Sequence, residues 1–552
     1  MRRILVALLL ATACSGSRQQ TKTAAEQGAP PAETPVAPVA PGPVAGTPPQ
    51  ADAGVSTQVG KETPPKDESS VVTPPAAQTA QIAPAPLMPD APFRAEPPRP
   101  LARQARFEPS VPVQRKLKNG ARVLIVENHA LPLVAIDVRF LHGVDADLPG
   151  KAGLAEFVAD TVDEGTKSRP AEKLAEEIED LAAHLGAGAS LETANVHLNC
   201  LTETLPKALE LMADVVQNPA FRPEDVERVR VLKLTALEQK KANTGALAAD
   251  QAAKILYGPD HPWGQPAGGT PQSIASITPA DLAAFHARYW VPNDAVISVA
   301  GDVSAAEIVR LLEQKLGSWK AKPLPKTPLK PFPRLARREI VALEKPGTTQ
   351  SQVWVVGHLF KATDPDAIPM RVANMTLGGL FTSRLNMNLR EKHGYSYGVG
   401  SSVSLLRRTG SFLARGGIVS QNTVEAVAEY ENELQRFSNG DVTPAELSAA
   451  KEALVRGLPA ALETNDAVSG AMANLVSLGL PLDYYRTFAA RVGKVSRADV
   501  KRVATRWITP SRWPVVIVGP VAQSKEALKK LNLGPVSVNP AVPNGKTSAA
   551  SP

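Results

Sequence analysis

Ile277-Thr278-Pro279-Ala280-Asp281-Leu282 returns 218 residues later as Val495-Ser496-Arg497-Ala498-Asp499-Val500. The same spacing links Arg288 with Arg506, Pro292 with Pro510, Gly301 with Gly519 and Val303 with Val521. Both stretches read as a helix, an arginine beside an aromatic residue, a proline turn, an apolar strand, a glycine and a further helix. A looser match sets Arg222-Pro223-Glu224-Asp225-Val226 against Thr443-Pro444-Ala445-Glu446-Leu447, 221 residues on. Self-similarity at a fixed spacing marks one folded unit used more than once. The chain therefore divides into two homologous domains, 108–323 and 336–531, joined by the Lys/Pro-rich linker 324–335.

Within the first copy, Asn119-Gly120 sits between the apolar runs Val113 to Leu117 and Ala121 to Val126. Both residues tolerate positive φ, so the pattern predicts a hairpin. Val134, Ile136, Val138 and Phe140 alternate with Ala135, Asp137 and Arg139, the signature of a half-buried antiparallel strand. Helical spacing takes over from Gly153 to Val162 and again from Ala171 to Leu185, and Ala194, Val196, Leu198 and Cys200 form a second alternating strand. Paired strands followed by paired helices predict an α+β protein, each domain a mainly antiparallel sheet packed with helices, rather than a doubly wound sheet.

The 61 Lys and Arg exceed the 54 Asp and Glu by only seven in 552 residues, a balance that does not point to nucleic acid. Two cysteines exclude a disulfide framework. Of the 51 prolines, 19 lie between Pro30 and Pro100. Residues 15–107 hold too few large apolar side chains to offset the entropy of ordering and are read as a disordered tether; the tail 532–552 reads the same way. Ahead of the tether, Arg2 and Arg3 precede the apolar run Ile4 to Leu10, an export signal far short of a membrane span. Leu10-Ala11-Thr12-Ala13-Cys14 resembles a bacterial lipobox, in which small residues admit a peptidase that cuts before a lipidated cysteine. Residues 1–14 are then a lipoprotein signal peptide. Cys14 anchors the chain in the bacterial cell envelope, facing the periplasm, with the outer membrane favoured over the inner.

From about Val113 to Val521 the chain resembles the pitrilysin-like, or insulinase-like, inverted zinc metallopeptidases, which include the mitochondrial processing peptidases. The resemblance rests on Leu117-Lys118-Asn119-Gly120, Gly153-Leu154-Ala155, Glu164-Gly165-Thr166, His261-Pro262-Trp263-Gly264, Asn293 to Val303 and Leu389 to Tyr397, in that order and on a duplicated α+β plan. Members that cut peptides carry H-x-x-E-H on the helix after Gly-Leu-Ala, two histidines on one helix face binding zinc and the glutamate serving as base. Here that window reads Glu156-Phe157-Val158-Ala159-Asp160. Acidic residues replace both histidines, and Ala159 replaces the base. By the family's spacing the distal zinc ligand falls at Ala236, with Glu238 displaced from it. Glu156 and Asp160 share a helix face but lack a third local ligand, and no two of the eight histidines stand in H-x-x-x-H spacing, so no metal or other cofactor is expected in this chain.

The second domain keeps what the resemblance implies for substrate handling. Arg390 and, seven residues later, Tyr397 fall where family members place an arginine and a tyrosine that hold the substrate carbonyl and steady the tetrahedral intermediate. Gly378-Gly379 upstream matches a glycine-containing stretch whose physical use is close backbone approach. A degenerate zinc half beside a retained Arg/Tyr half implies the division of labour of heteromeric members: a non-catalytic, substrate-binding subunit working with a separate H-x-x-E-H chain that supplies the zinc. Such a pair would close around a peptide substrate. The alternative is a non-proteolytic peptide-binding or structural scaffold.

Overall fold

The computed structural model describes residues 107–325, 330–440 and 442–541. The signal peptide, Cys14 and the tether up to residue 106 lie outside the described residues, as does the tail beyond residue 541. Among the described residues no helix is long and apolar enough to cross a membrane.

The strands of the first half are β1 (Val113–Lys116), β2 (Arg122–Glu127), β3 (Leu133–Phe140), β4 (His184–Ala189), β5 (Ala194–Leu201) and β6 (Ala295–Gly301). Those of the second are β7 (Ile340–Glu344), β8 (Gln350–Leu359), β9 (Ser396–Leu405), β10 (Gly410–Val419), β11 (Val515–Gly519) and β12 (Val536–Pro540). They form two six-stranded sheets, ordered β1-β2-β6-β3-β5-β4 and β12-β7-β11-β8-β10-β9. Apart from β1 and β12 the two orders are the same. Within the five strands that the two orders share, one parallel pair (β2 with β6, β7 with β11) adjoins three antiparallel pairings. The duplication read from the sequence is thus a duplication of topology. It extends to the caps: Thr278 with Asp281, and Ser496 with Asp499, form reciprocal capping boxes at the start of the repeated helices Pro279–Tyr289 and Arg497–Trp507. Each box satisfies backbone N–H groups that the first helical turn would otherwise leave unpaired.

The Asn119-Gly120 hairpin forms, with Gly120 at φ 99° and β1 antiparallel to β2. Three expectations are corrected. The helix beginning at Ala171 ends at Asp180; the chain reverses at Ala182 (φ 48°), and Leu185 belongs to β4. The tail does not begin at residue 532, because β12 adds to the open edge of β7 in parallel and buries Val536 and Val538 in part. Free N–H and C=O groups on an edge strand are enough to order a short segment whose own side chains bury little. Finally, β3 is buried on both faces rather than one.

The cause of that last difference is an exchange of helices between the halves. Asn465–Ser477 of the second half lies across the outer face of the first sheet, where Met472 and its neighbours Val468 and Val476 pack on Leu124, Val296 and Ala300. The helix Thr244–Tyr257 of the first half lies on the second sheet in the same manner, with Ala248, Ala252 and Leu256 against Trp354, Val356, Val516 and Val518. Alanines at these helix positions let the backbone approach the sheet closely, and large sheet residues fill the space. Polar groups on the covered face are paired: Arg139 donates to both oxygens of Asp137 and to Asn474 Oδ1 at 2.5 Å, and Asn199 donates to Asp466 at 3.2 Å.

Candidate functional site

The window that carries the zinc motif in active relatives begins at Gly153, which holds φ 87° before the short helix Leu154–Ala159. A β-carbon there would lie 2.8 Å from Gly269 N, so the left-handed backbone and the close approach of the Gly268–Gly269 loop both demand glycine. The carboxylate of Asp147 accepts from Gly153 N and Ala155 N, each at 2.8 Å, and fixes the start of the helix. Burial pushes the Asp147 carboxyl up to about 8, against the pull of those two donors. Asp160 N donates to Glu156 O at 2.8 Å, so the Glu156 and Asp160 side chains stand one turn apart on the same face. Ala159 is buried, and its methyl group has no proton to give or take.

Across from this face runs the helix Pro223–Lys240. It presents Lys233, whose ammonium lies 2.7 Å from Asp160 Oδ2 and whose side chain is 11% exposed. The ammonium of Lys233 and the guanidinium of Arg230 both face the Phe157 ring, 5.8 and 5.3 Å from its centre. Burial opposes charge on Lys233, yet the carboxylates of Asp160 and Glu156 together outweigh it and hold the amine above its ordinary range. Burial raises the Glu156 carboxyl, Lys233 draws it back, and Asp160 adds to the rise. Ala236, the expected distal position, is half-buried one turn beyond Lys233. Glu238 is exposed and accepts from Lys241 at 2.7 Å.

Zinc does not fit these side chains. An ammonium already holds the carboxylate that one ligand position offers, the base position is a methyl group, and among the described residues no three His, Cys, Asp or Glu stand close enough to hold a metal. The histidines serve elsewhere. His142 pairs with Asp294 at 2.7 Å, His286 lies buried against the carbonyl of Val216, and His261 accepts from Trp263 N. Lys233 was not singled out in the sequence. The signal was available, a lysine one turn before Ala236 opposite two vicinal acids, but only the packing of the two helices gives it meaning.

In the second half, Arg390 lies on wide helical turns over Met387–Lys392, and Gly394 (φ 67°) ends them ahead of β9. The Arg390 guanidinium sits 4.5 Å from the centre of the Phe381 ring, with Glu391 Oε1 at 3.3 Å, and the side chain is 34% exposed. Tyr397, on β9, is 77% exposed and its hydroxyl makes no hydrogen bond among the described residues. Buried Asn386 joins the two supports: its Nδ2 donates to Phe381 O at 2.7 Å, and its Oδ1 accepts from Val399 N at 3.1 Å. Gly378 makes the close approach its type implies, since a β-carbon there would stand 2.3 Å from Ser401 N. No hydrogen bond or ion pair among the described residues links Arg390 or Tyr397 to Glu156, Asp160 or Lys233. The arrangement offers a half-buried guanidinium and an exposed phenol, two donors suited to a carbonyl or an oxyanion.

Residues 122–258 match the family Insulinase (Peptidase family M16), and residues 276–454 match the Peptidase M16 inactive domain. The chain belongs to peptidase family M16. Among M16 chains of known structure, the peptidase M16 inactive domain from Pseudomonas fluorescens is 26% identical, with a TM-score of 0.70 over 74% of this chain and 98% of that one. A Helicobacter pylori protein named a non-peptidase homolog is 27% identical over 388 residues, 69% of this chain and 88% of its own length. A Mycobacterium leprae protein named an uncharacterized zinc protease is 25% identical over 420 residues, 76% of this chain and 94% of its own. The M16 fold thus carries chains named on either side of the catalytic divide, and the window Glu156 to Asp160 places the catalytic residue types outside this one.

Proposed function

We propose that this chain is a non-catalytic M16 subunit that binds a peptide through Arg390 and Tyr397 and presents it to the zinc of a separate H-x-x-E-H chain. The observation that carries the reading is the contrast between the two halves. Lys233 closes the degenerate metal position with an internal cation, whereas Tyr397 is exposed and Arg390 half-buried on a supported platform that leaves both within reach of a ligand. A lysine in place of a metal keeps the local charge balanced but supplies neither a Lewis acid nor an activated water. The arginine and tyrosine need only a carbonyl to act on, and the zinc-bearing chain would place one there. The relative named a non-peptidase homolog supports the first half of this reading. We place the protein in the bacterial envelope as a lipoprotein held through Cys14, facing the periplasm.

The test is kinetic. In the reconstituted pair, Arg390→Ala or Tyr397→Phe should leave folding and partner binding intact and lower peptide hydrolysis by roughly 10²-fold, the scale of a lost oxyanion-type donor. A loss in kcat marks a transition-state contact, and a rise in KM alone marks uniform substrate binding. Full activity in both variants would replace this reading with that of a non-proteolytic scaffold.

A further inference from the structure

The whole formal excess of charge in the chain is carried by one short region. Residues 484–512 hold eight Lys or Arg against the single acid Asp499, and the remaining 523 residues hold 53 basic and 53 acidic side chains. The eight lie on two consecutive helices, Tyr484–Lys494 and Arg497–Trp507, joined by Val495 and Ser496, and on the turn Pro510–Arg512. In the second helix Val500, Val503 and Ala504 are buried toward the neighbouring helices Ala367–Asn374 and Thr423–Ser438, which leaves the basic residues on the opposite, exposed arc. Asp366 engages Arg502 and, at 3.6 Å, Arg506; Asp499 lies 3.6 Å from Arg502; Arg497 donates to the carbonyl of Val442. The charged groups of Lys494, Lys501 and Arg512 make no hydrogen bond or ion pair among the described residues, and all three side chains are exposed.

A second observation gives this face a direction. Arg486, in the first of the two helices, donates from Nε to the carbonyl of Pro109 at 3.3 Å. The chain N-terminal to Pro109, Cys14 included, therefore joins the fold at the edge of the basic region. We infer that this face binds an anionic phospholipid surface, so that the domain lies against the membrane by electrostatic contact in addition to any N-terminal attachment. The inference rests on the proposed lipid anchor for the nearness of a membrane; the charge and its place beside Pro109 stand without it. Headgroup attraction needs charge density over an exposed surface and no pocket. Binding of single-stranded nucleic acid uses exposed rings for stacking, and the aromatic side chains of this region are buried or half-buried, with the Trp507 indole donating to Asp366 at 2.7 Å.

The test uses the full chain carrying Cys14→Ser, so that no acyl group contributes and a failure here is separate from a failure of the lipoprotein reading. Its co-sedimentation is measured with vesicles of phosphatidylcholine alone and with vesicles containing phosphatidylglycerol, beside its affinity for duplex DNA. Each basic residue near an anionic surface strengthens binding by roughly fivefold at low salt. Combined Lys494→Gln, Lys501→Gln and Arg512→Gln should therefore weaken binding to phosphatidylglycerol vesicles by more than about tenfold, with no change in unfolding midpoint. The charge-preserving pair Lys494→Arg and Lys501→Arg should retain it. Raising salt from about 50 to about 200 mM should release the parent protein. Equal binding to neutral vesicles, or undiminished binding by the triple variant, overturns the inference. Tighter binding to duplex DNA that is lost in the same variant overturns it in favour of a nucleic-acid partner.

Discussion

If Lys233 replaces a metal as the internal cation, its loss should leave a charge defect whose size depends on pH. Lys233→Met keeps a side chain of similar length and apolar character and removes the ammonium, with its contacts to Asp160 and to the Phe157 ring. Exposed ion pairs contribute about 0–1 kcal/mol, whereas breaking a fully buried pair costs about 3–5 kcal/mol. Lys233 is 11% exposed and Asp160 is 48% exposed, so water can recover part of the loss. The expected cost near neutral pH is about 1–2 kcal/mol, between those limits. The sign with pH follows from Glu156. Its folded carboxyl is raised above the ordinary 4.5, so its contribution favours the fold at low pH and turns against it as pH rises through the folded value. Lys233 offsets that burden. Its own pKa is also raised, so its contribution persists through neutral pH and is lost only as pH climbs past the ordinary 10.5. Urea unfolding of the parent and Lys233→Met proteins should therefore differ more at about pH 8 than at about pH 4, below the ordinary carboxyl value, and Glu156→Gln should restore part of the loss. Unchanged stability at pH 8, or a loss independent of pH, would refute the reasoning.

Two further outcomes follow. Met472→Ala should cost about 2–5 kcal/mol, because Met472 fills the contact between the second-half helix and the first sheet, and denaturant unfolding monitored in both halves should shift together; separate transitions would show that the exchanged helices do not couple them. Cys14→Ser should move the protein from the membrane fraction to the soluble envelope fraction at physiological salt, and unchanged membrane association through the N-terminal region would remove the lipid anchor from the account.

The sequence repeat made the architecture legible because duplication preserves spacing. The positions that matched at 218 residues, Gly301 with Gly519 and the capped helix starts at Thr278 and Ser496, occupy equivalent places in two sheets of the same order. What escaped was set by partners distant in sequence. Alternation in β3 reported one apolar face correctly, but the helix that covers the other face begins at Asn465, and no local pattern near Asp137 or Arg139 announces it. The strand β12 was hidden for a related reason: it is ordered by the backbone edge of β7, to which side-chain composition is blind. At the site, the replaced residues Glu156, Ala159 and Asp160 could be read directly, since both histidines are absent and Ala159 has no group that could act as a base. Lys233 and Asn386 could not, because each acts by reaching across from one segment to another, Lys233 to Asp160 and Asn386 to Phe381 and Val399.

If an internal lysine has closed the metal position of this M16 domain, the metal content of the purified chain shows it. The chain should be purified without chelators in buffer containing zinc, then freed of loosely bound ions and assayed by elemental analysis. Well under about one zinc per chain is expected, with the same unfolding midpoint before and after chelator treatment. A stoichiometric zinc that a chelator removes, with a fall in stability on its removal, would contradict it.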